Sequence, residues 1–184
     1  MITFRTLTRS DLPTLQRWLN TPHVYEWWGR HVGPGALGGT GPNAATAAQV
    51  EEKYGSIIDH GGTTHRFIIE HDSVPIGLIQ WYHLSDFPDY ARAIGEDAAA
   101  PGVGLDLLIG EPEALGRGLG TRAISQFVTS VVFPHSKTDR IVVGPAATNA
   151  RSVRAFEKAG FRHARVVTLP DEPMPEAIMI RTKT

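Results

Sequence analysis

The 184-residue sequence contains no cysteine, so it offers no thiol nucleophile, no disulfide framework and no thiolate metal site. It also lacks an apolar run approaching the roughly 20 residues that a membrane-spanning helix needs. The start, Met1-Ile2-Thr3-Phe4-Arg5, has no signal-peptide pattern of basic and then apolar residues. We therefore expect one cytoplasmic domain over residues 1–184, with no membrane partner.

Net charge is nearly absent, since 18 basic and 19 acidic residues leave a formal charge of −1. A dedicated nucleic-acid binder would show a strong basic excess, so we expect no nucleic-acid partner. The distribution is uneven: residues 86–113 hold seven acids and one base, whereas residues 137–165 hold seven bases and two acids. This asymmetry suits a cationic acceptor on one side and a phosphate-bearing donor on the other, but two solvated faces explain it equally well.

Motifs for two other kinds of site are missing as well. The eight histidines include no His-x-x-x-His pair, so we expect no metal site. No Gly-x-Ser-x-Gly elbow is present, which removes support for a serine hydrolase.

The apolar pattern predicts a series of strands and helices. Strands are predicted over residues 2–6, 65–71, 74–81, 103–109, 140–143, 162–169 and 177–182. Helices are predicted up to residue 19 and over residues 46–59, 118–133 and 149–159, with Pro134 ending the third. Residues 86–101 are predicted to be irregular and residues 33–42 to form a mobile loop. The order predicts an α/β protein whose mixed, mostly antiparallel central sheet carries helices on both faces.

Two glycine-containing motifs are the most informative. Leu115-Gly116-Arg117-Gly118-Leu119-Gly120-Thr121 follows a strand and opens a long helix, where unpaired N–H groups can hold a pyrophosphate. A tight turn without a ligand accounts for the same glycines. Downstream, Asn149 is a suitable helix N-cap, and that helix ends in Ala159-Gly160-Phe161.

Together these motifs resemble the GNAT superfamily of acyl-coenzyme A N-acyltransferases. The closer likeness is to aminoglycoside 6′-N-acetyltransferases. It is also carried by Trp18-Leu19-Asn20, Glu26-Trp27-Trp28-Gly29, Ile76-Gly77, Gly104-Leu105-Asp106 and Pro170-Asp171. The resemblance implies a GNAT fold, with two splayed parallel strands forming an acyl-CoA cleft. It further implies acetyl-CoA as co-substrate and direct acetyl transfer to a primary amine of a polycationic aminoglycoside. For the oligomeric state, both a monomer and a homodimer stay open.

Asp106 is the candidate catalytic residue. It lies in the middle of an apolar strand, where an ionised carboxylate must be paired or face a cleft. A structural ion pair is therefore the alternative. The resemblance implies that Asp106 contacts the reacting amine and helps to deprotonate it.

The resemblance also implies which residues hold acetyl-CoA. Main-chain N–H groups near Leu107 and Leu108 would polarise the thioester carbonyl if the strand bulges there. The cofactor-binding set is Leu107, Leu108, Ile109, Arg117, Gly118, Leu119, Gly120, Thr121, Asn149 and Phe156. Phe156 stands where relatives often have a tyrosine that protonates the leaving thiolate, so water would have to do so, or the thiolate would leave unassisted.

Two roles suit the adjacent tryptophans, Trp27 and Trp28. They can lie partly in the core and partly in a lid, or they can form a platform under a sugar ring of the acceptor. The resemblance favours Trp28 as the platform. The predicted acceptor contacts are Trp27, Trp28, Gln80, Tyr82, Asp86, Asp89 and Asp171. Gly144-Pro145 stands where a close relative would have Asp-Pro, so we expect one acceptor-binding carboxylate to be missing.

Two rival functions fit the same motifs. One is a GNAT enzyme that acylates a lysine-type or hydroxylysine-type amine in siderophore assembly. Such relatives commonly carry histidine where this chain has Asp106, which favours the aminoglycoside. The other is a catalytically silent module that keeps a coenzyme A cleft for sensing or protein contact.

Overall fold

The computed structural model describes residues 1–28, 45–170 and 174–183. Its strands are β1 (Ile2–Thr6), β2 (Thr64–His71), β3 (Val74–His83), β4 (Val103–Ile109), β5 (Arg140–Val143), β6 (Arg162–Val167) and β7 (Glu176–Thr182). Its α-helices are α1 (Leu12–Leu19), α2 (Pro22–Tyr25), α3 (Ala47–Val50), α4 (Ser56–His60), α5 (Pro88–Ala93), α6 (Leu119–Phe127), α7 (Phe133–His135) and α8 (Ala150–Lys158). All seven predicted strands are confirmed, with ends that differ by a few residues.

The strands form one sheet in the order β1-β2-β3-β4-β5-β7-β6. The pairs β1–β2, β5–β7 and β6–β7 are antiparallel, whereas β4 and β5 run parallel. The parallel pair is in register at Val103 with Ile141 and at Gly104 with Val142. Beyond that point β4 continues to Ile109, while β5 ends at Val143. The predicted fold class, a mixed and mostly antiparallel sheet with helices, is confirmed.

The described residues group into two compact units, and the first comprises those within Met1–Gln80 and Leu107–Leu115. Its core holds the apolar face of α1, namely Leu12, Leu15, Trp18 and Leu19. Spacings of three and four residues place these side chains on one side of the helix. Pro13 falls in the first turn of α1, where its missing N–H is not needed. The core of this unit also includes Ile68 of β2 and Leu78 of β3.

The second unit comprises the described residues within Trp81–Asp106 and Gly116–Thr184. Its strand β5 is buried on both faces, because Val142 and the alternating neighbours Ile141 and Val143 are all at most 3% exposed. One of these faces packs with α5. That cluster consists of Tyr82, Leu84, Ala91, Ile94, Val142 and Ile178.

Two predictions of helical structure were wrong. Residues 86–101 are not wholly irregular, since a 3-10 turn (Leu84–Asp86) and α5 lie there. A helix of six residues is too short to show a clear period in sequence, and its Ala91 is buried by tertiary packing. Pro134 does not end the long helix, which reaches His135 through a π-helical turn at Val128–Val132. The wider π turn alters the hydrogen bonds just before Pro134, so the proline is accommodated.

The helix predicted over residues 46–59 is confirmed, with a π turn (Glu51–Gly55) between α3 and α4. The loop predicted over residues 33–42 lies outside the described residues. Within the described ranges, no helix has the length and apolar character required to cross a bilayer.

Candidate active site

Asp106 lies in the part of β4 that belongs to the second unit. Side chains alternate along a strand, so Asp106 shares a face with Gly104 while the intervening Leu105 is buried on the other. Gly104 has no room for a side chain, since a Cβ there would lie 2.3 Å from Cζ of Tyr82. The Gly-Leu-Asp motif therefore allows a phenol ring to pack against the face of β4 that carries Asp106.

Tyr82 and a second tyrosine, Tyr90 of α5, form a buried phenol pair. The two hydroxyls are hydrogen-bonded to each other. Burial raises the pKa of both phenols well above its usual range. The charge of Asp106 raises the pKa of Tyr82 further, and that of Glu176 does the same for Tyr90. Both phenols therefore stay neutral at physiological pH and can donate hydrogen bonds to carboxylates.

Glu176 is a site residue that the sequence reasoning missed. It opens β7 and is 4% exposed, and the Tyr90 hydroxyl donates to its Oε2 at 3.4 Å. A Cβ at Gly144 would lie 2.4 Å from the same oxygen. Position 144 lacks a carboxylate, as the sequence indicated, but Glu176 brings one to the same place. The available signal was an acid directly before the buried run Ala177–Met179.

The glycine-rich turn adopts a geometry that only glycine accommodates easily. Gly116 and Gly118 have φ angles of +74° and +73°, and Gly118 is the N-cap of α6. A Cβ at either position would meet no described atom within 4 Å, so the turn is open in front of the main chain. The first helical hydrogen bond runs from the N–H of Arg122 to the Gly118 carbonyl at 3.1 Å. The N–H groups of residues 119–121 precede that bond and lie at the positive end of the helix.

In the first unit, α1 and α2 anchor the chain between β4 and this turn. The indole N–H of Trp18 donates to Glu111 at 2.8 Å, and Arg17 donates to the same carboxylate. A Cβ at Gly110 would lie 2.0 Å from Cγ of Trp18, so the glycine allows the indole to pack on the main chain. The ring Nε2 of His23 donates to the Ile109 carbonyl at 2.9 Å. The Trp18-Leu19-Asn20 motif therefore helps to place the end of β4.

The other predicted cofactor residues lie in elements of both units. Leu108 is buried in the core of the first unit, and Leu107 is half-buried in the same strand. In the second unit, Asn149 caps α8, because its Oδ1 accepts from the N–H of Ser152 at 3.1 Å. Phe156 is 3% exposed and packs edge-on against Phe161, with ring centroids 5.2 Å apart.

Of the predicted acceptor contacts, Trp27, Trp28 and Gln80 belong to the first unit. Both tryptophans are half-buried, and Trp28 packs against the core. The indole nitrogen of Trp28 is buried, and no described residue forms a hydrogen bond with it. Gln80 is 0% exposed, so in this conformation it lies beneath the surface.

The other predicted acceptor contacts are three aspartates, of which Asp86 ends a 3-10 turn and Asp89 lies in α5. Asp86 is exposed, Asp89 forms an exposed ion pair with Arg92, and Asp171 lies outside the described residues. The charge asymmetry of the sequence is reduced by pairing, since Glu96 of the acidic stretch binds Arg140 and Arg165 of the basic one. Three acids of that stretch, Asp89, Glu96 and Glu111, are bound by arginines.

Comparison with known proteins identifies the family. Residues 8–169 match the family model described as "Acetyltransferase (GNAT) domain". The chain belongs to the GNAT acetyltransferase family. It is 33% identical over 184 residues to the aminoglycoside N(6′)-acetyltransferase type 1 of Klebsiella pneumoniae, covering 99% of this chain and 83% of that protein.

Solved structures give the same result. AAC(6′)-Ib in complex with paromomycin and acetyl-CoA superposes with a TM-score of 0.75 at 30% identity, covering 99% of this chain and 93% of that one. AAC(6′)-Ib in complex with coenzyme A and kanamycin also gives 0.75, at 29% identity, covering 100% of this chain and 95% of that one.

As a GNAT enzyme, the chain is an N-acetyltransferase that uses acetyl-CoA as its co-substrate. The glycine turn fits this co-substrate, because its main-chain N–H groups suit a pyrophosphate and no described atom lies within 4 Å of a Cβ built at Gly116 or Gly118. Among the residues that the structure describes, no group of three or more histidine, aspartate or glutamate side chains could hold a metal ion.

Proposed function

We propose that this GNAT enzyme is an aminoglycoside 6′-N-acetyltransferase, and that acetylation of the drug confers resistance. The observation that carries the proposal is the pair of carboxylates, Asp106 and Glu176, that act on the same two buried phenols. Such a site attracts polycations. The proposal is also supported by the aminoglycoside acetyltransferase that is 33% identical to this chain.

The co-substrate supplies an acetyl group activated as a thioester. In our proposal its pyrophosphate rests on the N–H groups of residues 117–121 at the start of α6, where the helix dipole favours an anion. The pantetheine arm runs along β4 and past α8. The residues assigned to these contacts are Leu107, Leu108, Ile109, Asn149 and Phe156.

Asp106 carries the chemistry of the acceptor. Its carboxylate attracts the ammonium form of the amine and then accepts one proton from nitrogen. The free nitrogen forms the new C–N bond as the thioester C–S bond breaks, and the electron pair of that bond leaves with sulfur. The nitrogen then loses its second proton to water, which leaves the neutral amide. Main-chain N–H groups of Leu107 and Leu108 stabilise the charge that develops on the carbonyl oxygen. Positioning of the two substrates contributes on the order of 7–11 kcal/mol, so few catalytic side chains are needed.

The leaving thiolate takes its proton from water in this proposal. Phe156 has no proton to donate, and its buried ring is packed on Phe161. A thiol of ordinary pKa, about 8.5, is a good leaving group near neutral pH, so assisted departure is not required. The chain has no cysteine, which is consistent with direct transfer without an acyl-enzyme.

The acceptor is bound by aromatic and acidic side chains. Trp28 forms the platform for a sugar ring, together with Trp27, because an indole face packs on sugars and attracts cations. The polar contacts are Gln80, Tyr82, Asp86, Asp89 and Asp171. Gln80, being fully buried, takes part only if the acceptor reaches below the present surface.

Thiol release with matched acceptors tests the proposal. We expect turnover with neomycin and kanamycin and no amide product with paromomycin, which carries a hydroxyl in place of the 6′-amine. Mass spectrometry of the product should show one added acetyl group. Turnover with hydroxylysine but not with any aminoglycoside would assign the siderophore-type function. Coenzyme A binding without turnover on any amine would leave a binding module, and a trapped acetyl-protein would contradict direct transfer.

A further inference from the structure

Glu176 has a role that follows from its surroundings, and this role rests on the proposed function. We propose that Glu176 determines acceptor specificity: its carboxylate binds an ammonium group next to the amine that Asp106 activates. Glu176 thereby supplies from β7 the anionic contact that a side chain at position 144 cannot make. The acceptor class is an amine that carries at least one further ammonium near the reacting nitrogen.

The main chain holds Glu176 firmly. Glu176 forms an antiparallel bridge with Ala146. The N–H of Ala147 donates to the Pro175 carbonyl and the N–H of Ala177 to the Pro145 carbonyl, each at 2.8 Å. On its other side Glu176 is paired with Val167 of β6. The main chain is thus held on both sides, and the Tyr90 hydroxyl orients the carboxylate, so little conformational entropy is lost when it binds a cation.

Gly144 and Glu176 fit each other sterically. A Cβ at position 144 would lie 2.4 Å from Oε2 and 3.1 Å from Cδ of Glu176, and 3.2 Å from the Tyr90 hydroxyl. Contacts that short are not tolerated, so a side chain at 144 and the present conformation of Glu176 exclude each other. The absence of a side chain at 144 therefore makes room for the carboxylate of Glu176.

The charge at this place also favours a cationic ligand. The hydroxyl of Tyr90 donates to Glu176, and both Glu176 and Asp106 act electrostatically on Tyr82 and Tyr90. The phenols are neutral hydrogen-bond donors, and the two carboxylates make the place that they share negative. In the proposal, two neighbouring ammonium groups of one acceptor bind these two carboxylates, and one of the two becomes the nucleophile after it loses a proton to Asp106.

The test compares Glu176→Gln with a transplanted carboxylate. Glu176→Gln should raise the KM for kanamycin about 10–100-fold and leave the KM for acetyl-CoA unchanged. Gly144→Asp alone should lose activity because it clashes with Glu176. The double variant Gly144→Asp with Glu176→Ala should recover at least about tenfold in kcat/KM over Glu176→Ala, since the charge returns from the neighbouring strand.

Glu96→Gln is the matched control, because it neutralises an equally buried glutamate that pairs with arginines. It should lower the melting temperature without changing the KM for kanamycin.

An unchanged KM for kanamycin in Glu176→Gln overturns the inference, as does an equal rise in the KM for kanamycin and the KM for acetyl-CoA. If Glu176→Gln does not fold, Glu176→Asp decides, because a retained charge should keep the kanamycin KM near that of the wild type. A wild type that acetylates no aminoglycoside contradicts the proposed function. An active wild type whose KM for kanamycin is unchanged by Glu176→Gln contradicts this inference alone.

Discussion

Two buried glutamates in the second unit lie in contrasting surroundings. The side chain of Glu96 is 7% exposed and is bound by two arginines: Arg140 donates to it at 2.9 and 3.0 Å, and Arg165 pairs with it as well. Glu176, which is 4% exposed, accepts from the Tyr90 hydroxyl and lies against the main chain of Gly144. One carboxylate is surrounded by guanidinium groups and the other is approached by a phenol and a glycine.

In our proposal the contrast separates a structural carboxylate from a functional one. Burying a charge is costly unless an opposite charge compensates it. At Glu96 two arginines of the protein supply that charge, and the ion pairs tie the chain after α5 to β5 and β6. At Glu176 the neutral Tyr90 hydroxyl donates a hydrogen bond, and in our proposal the same carboxylate binds a cationic acceptor. Burial alone therefore does not identify a binding carboxylate.

The largest expected effect belongs to Asp106→Asn, which removes the proton acceptor that we propose. Turnover should fall about 10²–10⁴-fold, the range for loss of a general base. The dissociation constant for acetyl-CoA should stay within about twofold, because the glycine turn is untouched. Steady-state kinetics and calorimetry measure the two quantities. Turnover close to that of the wild type would remove Asp106 from the mechanism.

Glu96→Gln should affect stability and not catalysis. Removing one partner of a buried ion pair costs about 3–5 kcal/mol, and we expect the lower end because the side chains of Arg140 and Arg165 are 37% and 35% exposed. For a chain of this length, a loss of about 3 kcal/mol lowers the melting temperature by roughly 6–12 °C. Glu157→Gln, at an exposed pair with His163, is the control and should change little. A lower turnover or a higher KM in Glu96→Gln at 25 °C would contradict a purely structural role for Glu96.

Alkaline pH should reduce the contribution that the two phenols near Glu176 make to the free energy of unfolding. The pKa of Tyr82 and of Tyr90 is raised in the folded state, so their contribution to stability is full below about pH 10 and is lost as the pH rises above it. Each phenol contributes a slope of about 1.4 kcal/mol per pH unit there. The arginines around Glu96 stay protonated over this range. Denaturation between pH 9 and 11 should therefore show a flatter decline for Tyr82→Phe than for the wild type, and equal slopes would contradict the assignment.

The smallest effect is expected for Asp89→Asn. The side chain of Asp89 is 94% exposed and forms an ion pair with Arg92. Solvent screens such a group, so both its ion pair and its proposed contact with the acceptor are worth less than about 1 kcal/mol, or about fivefold in KM. Kinetics with kanamycin, run beside Glu176→Gln, measure the difference. A larger rise in KM for Asp89→Asn than for Glu176→Gln would reverse the ranking of exposed and buried carboxylates.

Sequence patterning predicted the strands well because each carries its own apolar signal. Every residue of β4 from Val103 to Ile109 was predicted, and the N-cap Asn149 was confirmed by its hydrogen bond to Ser152. The helix α5 was missed, since six residues carry little periodicity and its Tyr90 is held by side chains distant in sequence. Glu176 was missed for the same reason, because its partners Gly144 and Tyr90 are 32 and 86 residues away along the chain.

The sequence by itself determined the strands, the glycine turn and the placement of Asp106 in an apolar strand, because these are local patterns of glycine, apolar period and charge. Its motifs also resembled the GNAT family, and that resemblance implied the role of Asp106. Only the tertiary structure decided which acids are compensated and which carboxylate fills the place beside Gly144. The physical reason is that compensation of a buried charge depends on distances between side chains from different strands. Those distances arise when the sheet assembles and leave no periodic trace in the chain.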